Sequence, residues 1–187
     1  MALFTGKGDQ GTTKLFDTQS GVRVSKASPI FETLGMLDEL NTLVGWCKVA
    51  CPDDFDVQGR SAKERLHEVQ DYLFTIQAEV AGAGKIVPPE AIEALSAVIN
   101  EIEKEMPPIK TFLVPGGTEL SARFDIVRAV SRRAERRLVN LHESGDRIIS
   151  ESSRAYANRL SSLFYALTRL TNHRAGISET PPQYKDT

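Results

Sequence analysis

Apolar residues recur at three- and four-residue steps almost without interruption from residue 28 to residue 175, and this spacing limits the fold more than any other feature. Such a period lines up apolar side chains on one face of an α-helix, whereas a half-buried strand would alternate. Proline and glycine divide the pattern into five helices. The first opens at Ser28-Pro29, an N-cap with proline at the first helical position, and continues to about Cys51. The second carries Leu66, Val69, Leu73, Ile76 and Val80 and stops near Gly82 and Gly84. The third starts at Pro88-Pro89-Glu90, carries Ile92, Leu95, Ile99, Ile102 and Met106, and is ended by Pro107-Pro108. The fourth runs from about Thr118, just after Pro115-Gly116-Gly117, to about His142, with Ser144-Gly145 closing it. The fifth, from about Ser150 to Ala175, carries Tyr156, Leu160, Leu163, Leu167 and Leu170, and Gly176 caps it. No stretch after residue 28 alternates as a strand. The expected fold is all-α: one domain over residues 1–187, with an irregular arm (1–27), a five-helix bundle (28–176) and a tail (177–187).

Composition narrows the function classes. With 23 basic and 25 acidic residues the formal net charge is −2, which favours neither nucleic acid nor an anionic membrane. No apolar run approaches the roughly 18 residues that span a bilayer, and the N-terminus has no signal-peptide core. Cys47 and Cys51, four apart in a helix, read as two buried thiols, since a metal site needs further ligands nearby. These features fit a cytoplasmic protein in a reducing compartment.

Two segments carry chemistry. The arm contains TGKGDQGTTKL (5–15), too polar for a core strand and too irregular for a helix. Gly6, Gly8 and Gly11 let backbone N–H groups converge on an anion, Thr5, Thr12 and Thr13 add hydroxyl donors, and Lys7, Lys14 and Lys26 add charge. A Walker A loop is absent. With so little apolar surface to offset its ordering entropy, this stretch is expected to order only around a bound polyphosphate. The second segment is RAVSRRAERR (128–137) on the fourth helix. Leu120, Phe124, Val127, Ala134, Leu138 and Leu141 form its apolar stripe, and Arg128, Arg132, Glu135 and Arg136 fall on one side of that stripe, with Arg128 and Glu135 at its edge. Arg133 and Arg137 point elsewhere. Such a helix suits a solvated charged face, a nucleic-acid contact or a polyanion clamp. The Gly/Thr/Lys arm favours the clamp, because guanidinium groups present fixed bidentate donors to phosphate oxygens.

Four blocks together resemble the PduO-type ATP:cob(I)alamin adenosyltransferases: FTGKGDQGTT (4–13), IFETLGMLDELNTLVG (30–45), FLVPGG (112–117) with RAVSRRAERR (128–137), and YANRLSSLFYALTR (156–169). The resemblance implies five-helix subunits assembled as a homotrimer, with ATP and the corrinoid bound between neighbours. It implies that Thr5, Gly6, Lys7, Gly8, Thr13 and Lys14 wrap the triphosphate of ATP, joined by Lys26. It assigns Arg132, Arg133, Ala134, Glu135, Arg136 and Asn158 to phosphate and nucleoside, pairs Arg128 with Asp38 across the subunit boundary, and makes Arg128, Arg132 and Asp38 the catalytic set. Phe112 would line the cobalamin side and keep the lower axial ligand off cobalt. Gly6, Ala27-Ser28, Met36, Ser121 and Ser162 depart from the family's usual residues.

The reaction so implied is transfer of the 5′-deoxyadenosyl group of ATP to the cobalt of cob(I)alamin, with Mg²⁺ on the leaving triphosphate and hand-over of the product to an adenosylcobalamin-dependent enzyme. Cobalt is the nucleophile, so no protein base is required. His67, His142 and His173 accordingly lie outside the four blocks, and no protein metal site is expected. The competing reading is a non-catalytic ATP- or corrinoid-binding regulator with the same fold.

Overall fold

The computed structural model describes residues 3–184, so the arm's first two residues and the tail's last three lie outside it. The five helices are present as expected: α1 Pro29–Ala50, α2 Ala62–Val80, α3 Pro89–Glu105, α4 Glu119–Glu143 and α5 Glu151–Arg174. Local chemistry explains their starts. The side chains of Ser28, Ser61 and Ser150 accept from the first-turn amides of α1, α2 and α5. Thr118 and Ser121 cap α4 reciprocally, with each side chain accepting from the other's backbone amide. α3 has no side-chain cap and relies on Pro88-Pro89 to pre-set its first turn.

The helices pack in the spatial order α2–α1–α4–α5–α3. Tyr72 of α2 and Tyr156 of α5, with ring centroids 5.0 Å apart, bring α2 against α5 as well. The core is one contiguous cluster running from Ile30 to Leu170, and α5 lies deepest in it. Cys47 and Cys51 are free and buried there, and burial pushes their thiols up to about 12 and about 11, so both are inert packing groups. No helix among the described residues is long and apolar enough to cross a membrane.

The arm departs from a purely helical chain. Two short strands, β1 Thr12–Thr13 and β2 Val24–Ser25, pair antiparallel with Thr12 opposite Ser25 and Thr13 opposite Val24. Arg23 holds this ladder together: its Nε donates to Thr12 Oγ1 at 2.8 Å, and its NH2 donates to the carbonyls of Thr12 at 2.6 Å and Lys7 at 2.7 Å. Counting apolar burial alone leaves out a guanidinium able to satisfy several turn groups at once. The Phe16 amide donates to the Ala81 carbonyl (2.9 Å) and Asp17 pairs with Arg147, which moors the arm where α2 ends and α5 begins. The Arg147 hydrogen bond holds the Asp17 carboxyl below its ordinary range.

Candidate functional site

α4 and α5 run antiparallel, and two contacts set their register. Asn158 Nδ2 donates to Glu135 Oε1 at 2.6 Å, and Arg169 NH2 lies 3.5 Å from Asp125 Oδ2. Reading along this seam from the arm's end of the bundle, Arg136, the Glu135–Asn158 pair, Arg132 and Arg128 follow one another at about 1.5 Å of rise per residue. The seam then opens into a groove of about 900 Å³. Arg128, Arg132, Ser162 and Tyr165 form one wall of it, and the loop after α3, including Phe112, forms the other. Phe112 is 80% exposed, an aromatic ring held at a groove mouth and packed against no core residue.

The arginines of α4 divide by partner. Arg123 pairs with Glu119, Arg128 with Asp125 (3.1 Å), Arg133 with Glu39 of α1 (2.9 Å) and Arg137 with Glu32 of α1 (3.5 Å). Arg132 and Arg136 are exposed and have no carboxylate partner among the described residues. They are the two guanidinium groups of this helix left available to an anion, and in sequence they flank Glu135, the partner of Asn158. Arg159 NH1 donates to Asn158 Oδ1 at 2.9 Å, which orients the Asn158 amide so that its NH₂ faces Glu135.

Other expected site residues fall at different distances from this seam. Arg133 stands apart, drawn toward α1 by Glu39 and by Met36 Sδ at 3.0 Å. Ala134 is a core methyl, 1% exposed, and presents no side chain to the seam. In the arm, Thr5, Lys7 and Lys14 are exposed and Thr13 is half-buried in β1. Gly6 adopts φ +67°, the left-handed region open to glycine, and its carbonyl accepts from the Asp9 amide at 3.2 Å. Lys26 Nζ donates to the Gly8 carbonyl at 3.1 Å, so the third lysine is already drawn onto the glycine loop. Asp38 is exposed on α1, and within the chain Arg128 is paired with Asp125 instead.

Sequence reasoning missed four contributors: Arg23, Asp125, Tyr165 and Arg169. Asp125 and Arg169 are buried charges inside runs otherwise read as amphipathic helix, and that anomaly is the signal that would have exposed them. His67, His142 and His173 do not line the groove. No three His, Cys, Asp or Glu side chains converge on a point that could hold a cation among the described residues.

The family model for cobalamin adenosyltransferase matches residues 3–171. A corrinoid adenosyltransferase PduO from Citrobacter freundii is 37% identical over 182 residues, covering 94% of this chain and 51% of the relative. The chain thus spans about half the length of that protein and of the Salmonella typhimurium PduO, which it also matches at 36% identity. A corrinoid adenosyltransferase from Bacillus subtilis is 33% identical, with 96% of this chain and 91% of the relative covered. Among solved structures, a variant PduO-type ATP:corrinoid adenosyltransferase from Lactobacillus reuteri, complexed with cobalamin and ATP, shares the fold at TM-score 0.84 and 26% identity over 97% of each chain. With a match running from the arm through most of α5, and the same five-helix fold around the arginine seam, the chain belongs to the cobalamin adenosyltransferase family.

Proposed function

We propose that this protein transfers the 5′-deoxyadenosyl group of ATP to the cobalt of cob(I)alamin, releasing triphosphate. One observation carries the reading: Arg132, without a carboxylate partner among the described residues, lines a large, aromatic-edged groove and lies about one helical turn from Glu135, which holds Asn158. A polyanion and a bulky planar substrate can therefore meet at Arg132. A carbon–cobalt bond forms with the electron pair of Co(I), and the bond between C5′ and the triphosphate oxygen breaks, its pair leaving with the triphosphate. The chain contributes no proton to this step. Arg132 and Arg136 neutralise the leaving charge, the Glu135–Asn158 pair orients the nucleoside, and Phe112 with Tyr165 offers the corrinoid an apolar edge. Mg²⁺ would add positive charge to the leaving triphosphate, and the described residues hold no group of three His, Cys, Asp or Glu side chains that would bind it directly.

The arm completes the phosphate site in this reading. Because Arg23 and Lys26 already shape the glycine loop, less ordering entropy remains to be offset on binding. A Lys7→Ala and Lys14→Ala double variant is expected to weaken ATP binding about tenfold or more in calorimetry, since each charge-assisted contact contributes on the order of 1.5 kcal/mol. Unchanged affinity would detach the arm from the phosphates.

The working form is a homotrimer with shared sites. Support comes from the exposed, unpaired Asp38, the half-buried Arg128, and the apolar exposure of Trp46, Val49 and Ile126 along the α1–α4 face. The test combines light scattering with anaerobic incubation in ATP, Mg²⁺ and chemically reduced cobalamin. Trimers that form the light-sensitive Co–C product are expected. A fully active monomer excludes shared sites, and binding without product favours the non-catalytic regulator.

A further inference from the structure

We propose that Arg169 and Glu179 form a latch that sets the position of the Phe112 loop, making both of them positioning residues for corrinoid chemistry. The inference rests on the function proposed above and adds a device to it. Arg169 is 2% exposed, deep in α5, yet its NH1 reaches Glu179 Oε1 in the C-terminal segment at 2.6 Å. The N–H line misses the carboxylate, so charge, and not an aligned hydrogen bond, makes this contact. The aligned bond comes from Asn172, whose Nδ2 donates to the same Glu179 oxygen at 2.6 Å and to the Gly116 carbonyl at 2.8 Å.

These contacts tie the segment after α5 to the loop before α4. The Val114 amide donates to the Thr180 carbonyl at 2.9 Å, and the Gly116 amide donates to Asp125 Oδ2 at 3.2 Å. At Gly117, with φ +124°, an added Cβ would lie 2.3 Å from Asn172 Oδ1, so the loop approaches α5 as closely as a backbone can. The single Ser121 hydroxyl proton has the Thr118 carbonyl at 2.9 Å and the Gly116 carbonyl at 3.3 Å within reach as acceptors, which links the loop to the cap of α4.

Packing alone does not place this loop. Residues 106–115 form a strap with the 900 Å³ groove on one side and a second hollow of about 360 Å³ on the other, the latter lined by Ile109, Leu113, His173, Ile177, Glu179 and Pro181. A strap between two hollows takes its position from its anchors. The latch supplies them at Val114 and Gly116, two and four residues beyond Phe112. Stability does not account for it, because a buried charge network is commonly no better than apolar packing of the same volume. The network also reaches the reaction: Asp125 contacts Arg169, the Gly116 amide and Arg128 together, so loop position and Arg128 orientation share one carboxylate.

The parent chain is compared with Glu179→Gln, which keeps an acceptor for Asn172, and with Glu179→Ala. In Glu179→Ala, amide exchange at Val114 and Gly116 without ligands is expected to speed up about tenfold, as is usual when one net hydrogen bond is lost. ATP affinity should stay within about twofold, while kcat and the fraction of cobalamin freed of its lower axial ligand, read from its absorbance, fall together. Glu179→Gln should be intermediate. Unchanged loop exchange overturns the latch. Parallel loss of ATP affinity and melting temperature, with turnover per folded molecule intact, makes the network purely structural and also overturns it. If exchange rises and turnover falls in Phe112→Ala but not in Glu179→Ala, the loop matters and the latch does not control it. If turnover survives in both, the reading of Phe112 fails, and with it the latch's link to chemistry.

Discussion

Phe112→Ala is expected to bind ATP nearly as the parent protein does and to lose turnover on the order of 10²-fold, the scale of a reacting partner misplaced by about an ångström. The ring lies 80% exposed at the groove edge and offers no polar group to the phosphates, so its loss is expected to leave the phosphate site intact. On the function proposed above, what disappears is an apolar wedge on the corrinoid side, where displacement of the lower axial ligand would ease formation of Co(I). Calorimetry with ATP beside anaerobic turnover separates the two effects. ATP binding that collapses while turnover per bound ATP is preserved would show that the ring serves the nucleotide.

Arg132→Ala should lower kcat by about 10²–10³-fold, the usual cost of removing one fixed donor from developing charge. Arg133→Ala, one residue along, should change it less than about threefold. Arg132 is exposed and available, whereas Arg133 is engaged with Glu39 in a half-exposed ion pair, an interaction that typically contributes only about 0–1 kcal/mol. Melting temperatures should barely move in either variant. Equal kinetic losses at the two positions would remove the distinction between the paired and unpaired arginines, and with it the assignment of the triphosphate to this side of α4.

That distinction marks where local reading ends. Pro29, Pro89, the serine and threonine caps and Gly176 act on their own turns, so five helix boundaries could be read from neighbouring residues alone, to within a residue or two of Pro29–Ala50 or Glu151–Arg174. The apolar stripe of α4 was legible for the same reason: a helix repeats every 3.6 residues whatever surrounds it. The edge positions of Arg128 and Glu135 followed from the same geometry, and both are half-buried. The family resemblance rested on motif blocks, each of them a continuous stretch of chain.

Choice of partner is not local. Helical geometry already sets Arg133 and Arg137 of RAVSRRAERR apart from Arg132, but only the packing of α1 on one side of α4 brings Glu39 and Glu32 within their reach. Ala134 fits a binding motif as well as a core, and only the packing of α4 buries it. Arg23 gains meaning when the arm folds back and places Thr12 beneath its guanidinium. Asp125, Arg169 and Glu179 become one network because antiparallel α4 and α5 bring distant residues together and the chain after α5 turns back over them. Periodicity therefore determined which faces are apolar and where the helices start and stop. Tertiary packing decided which charges cancel and which remain available to a ligand, because a charge's effect depends on the neighbours and burial that only the folded chain supplies.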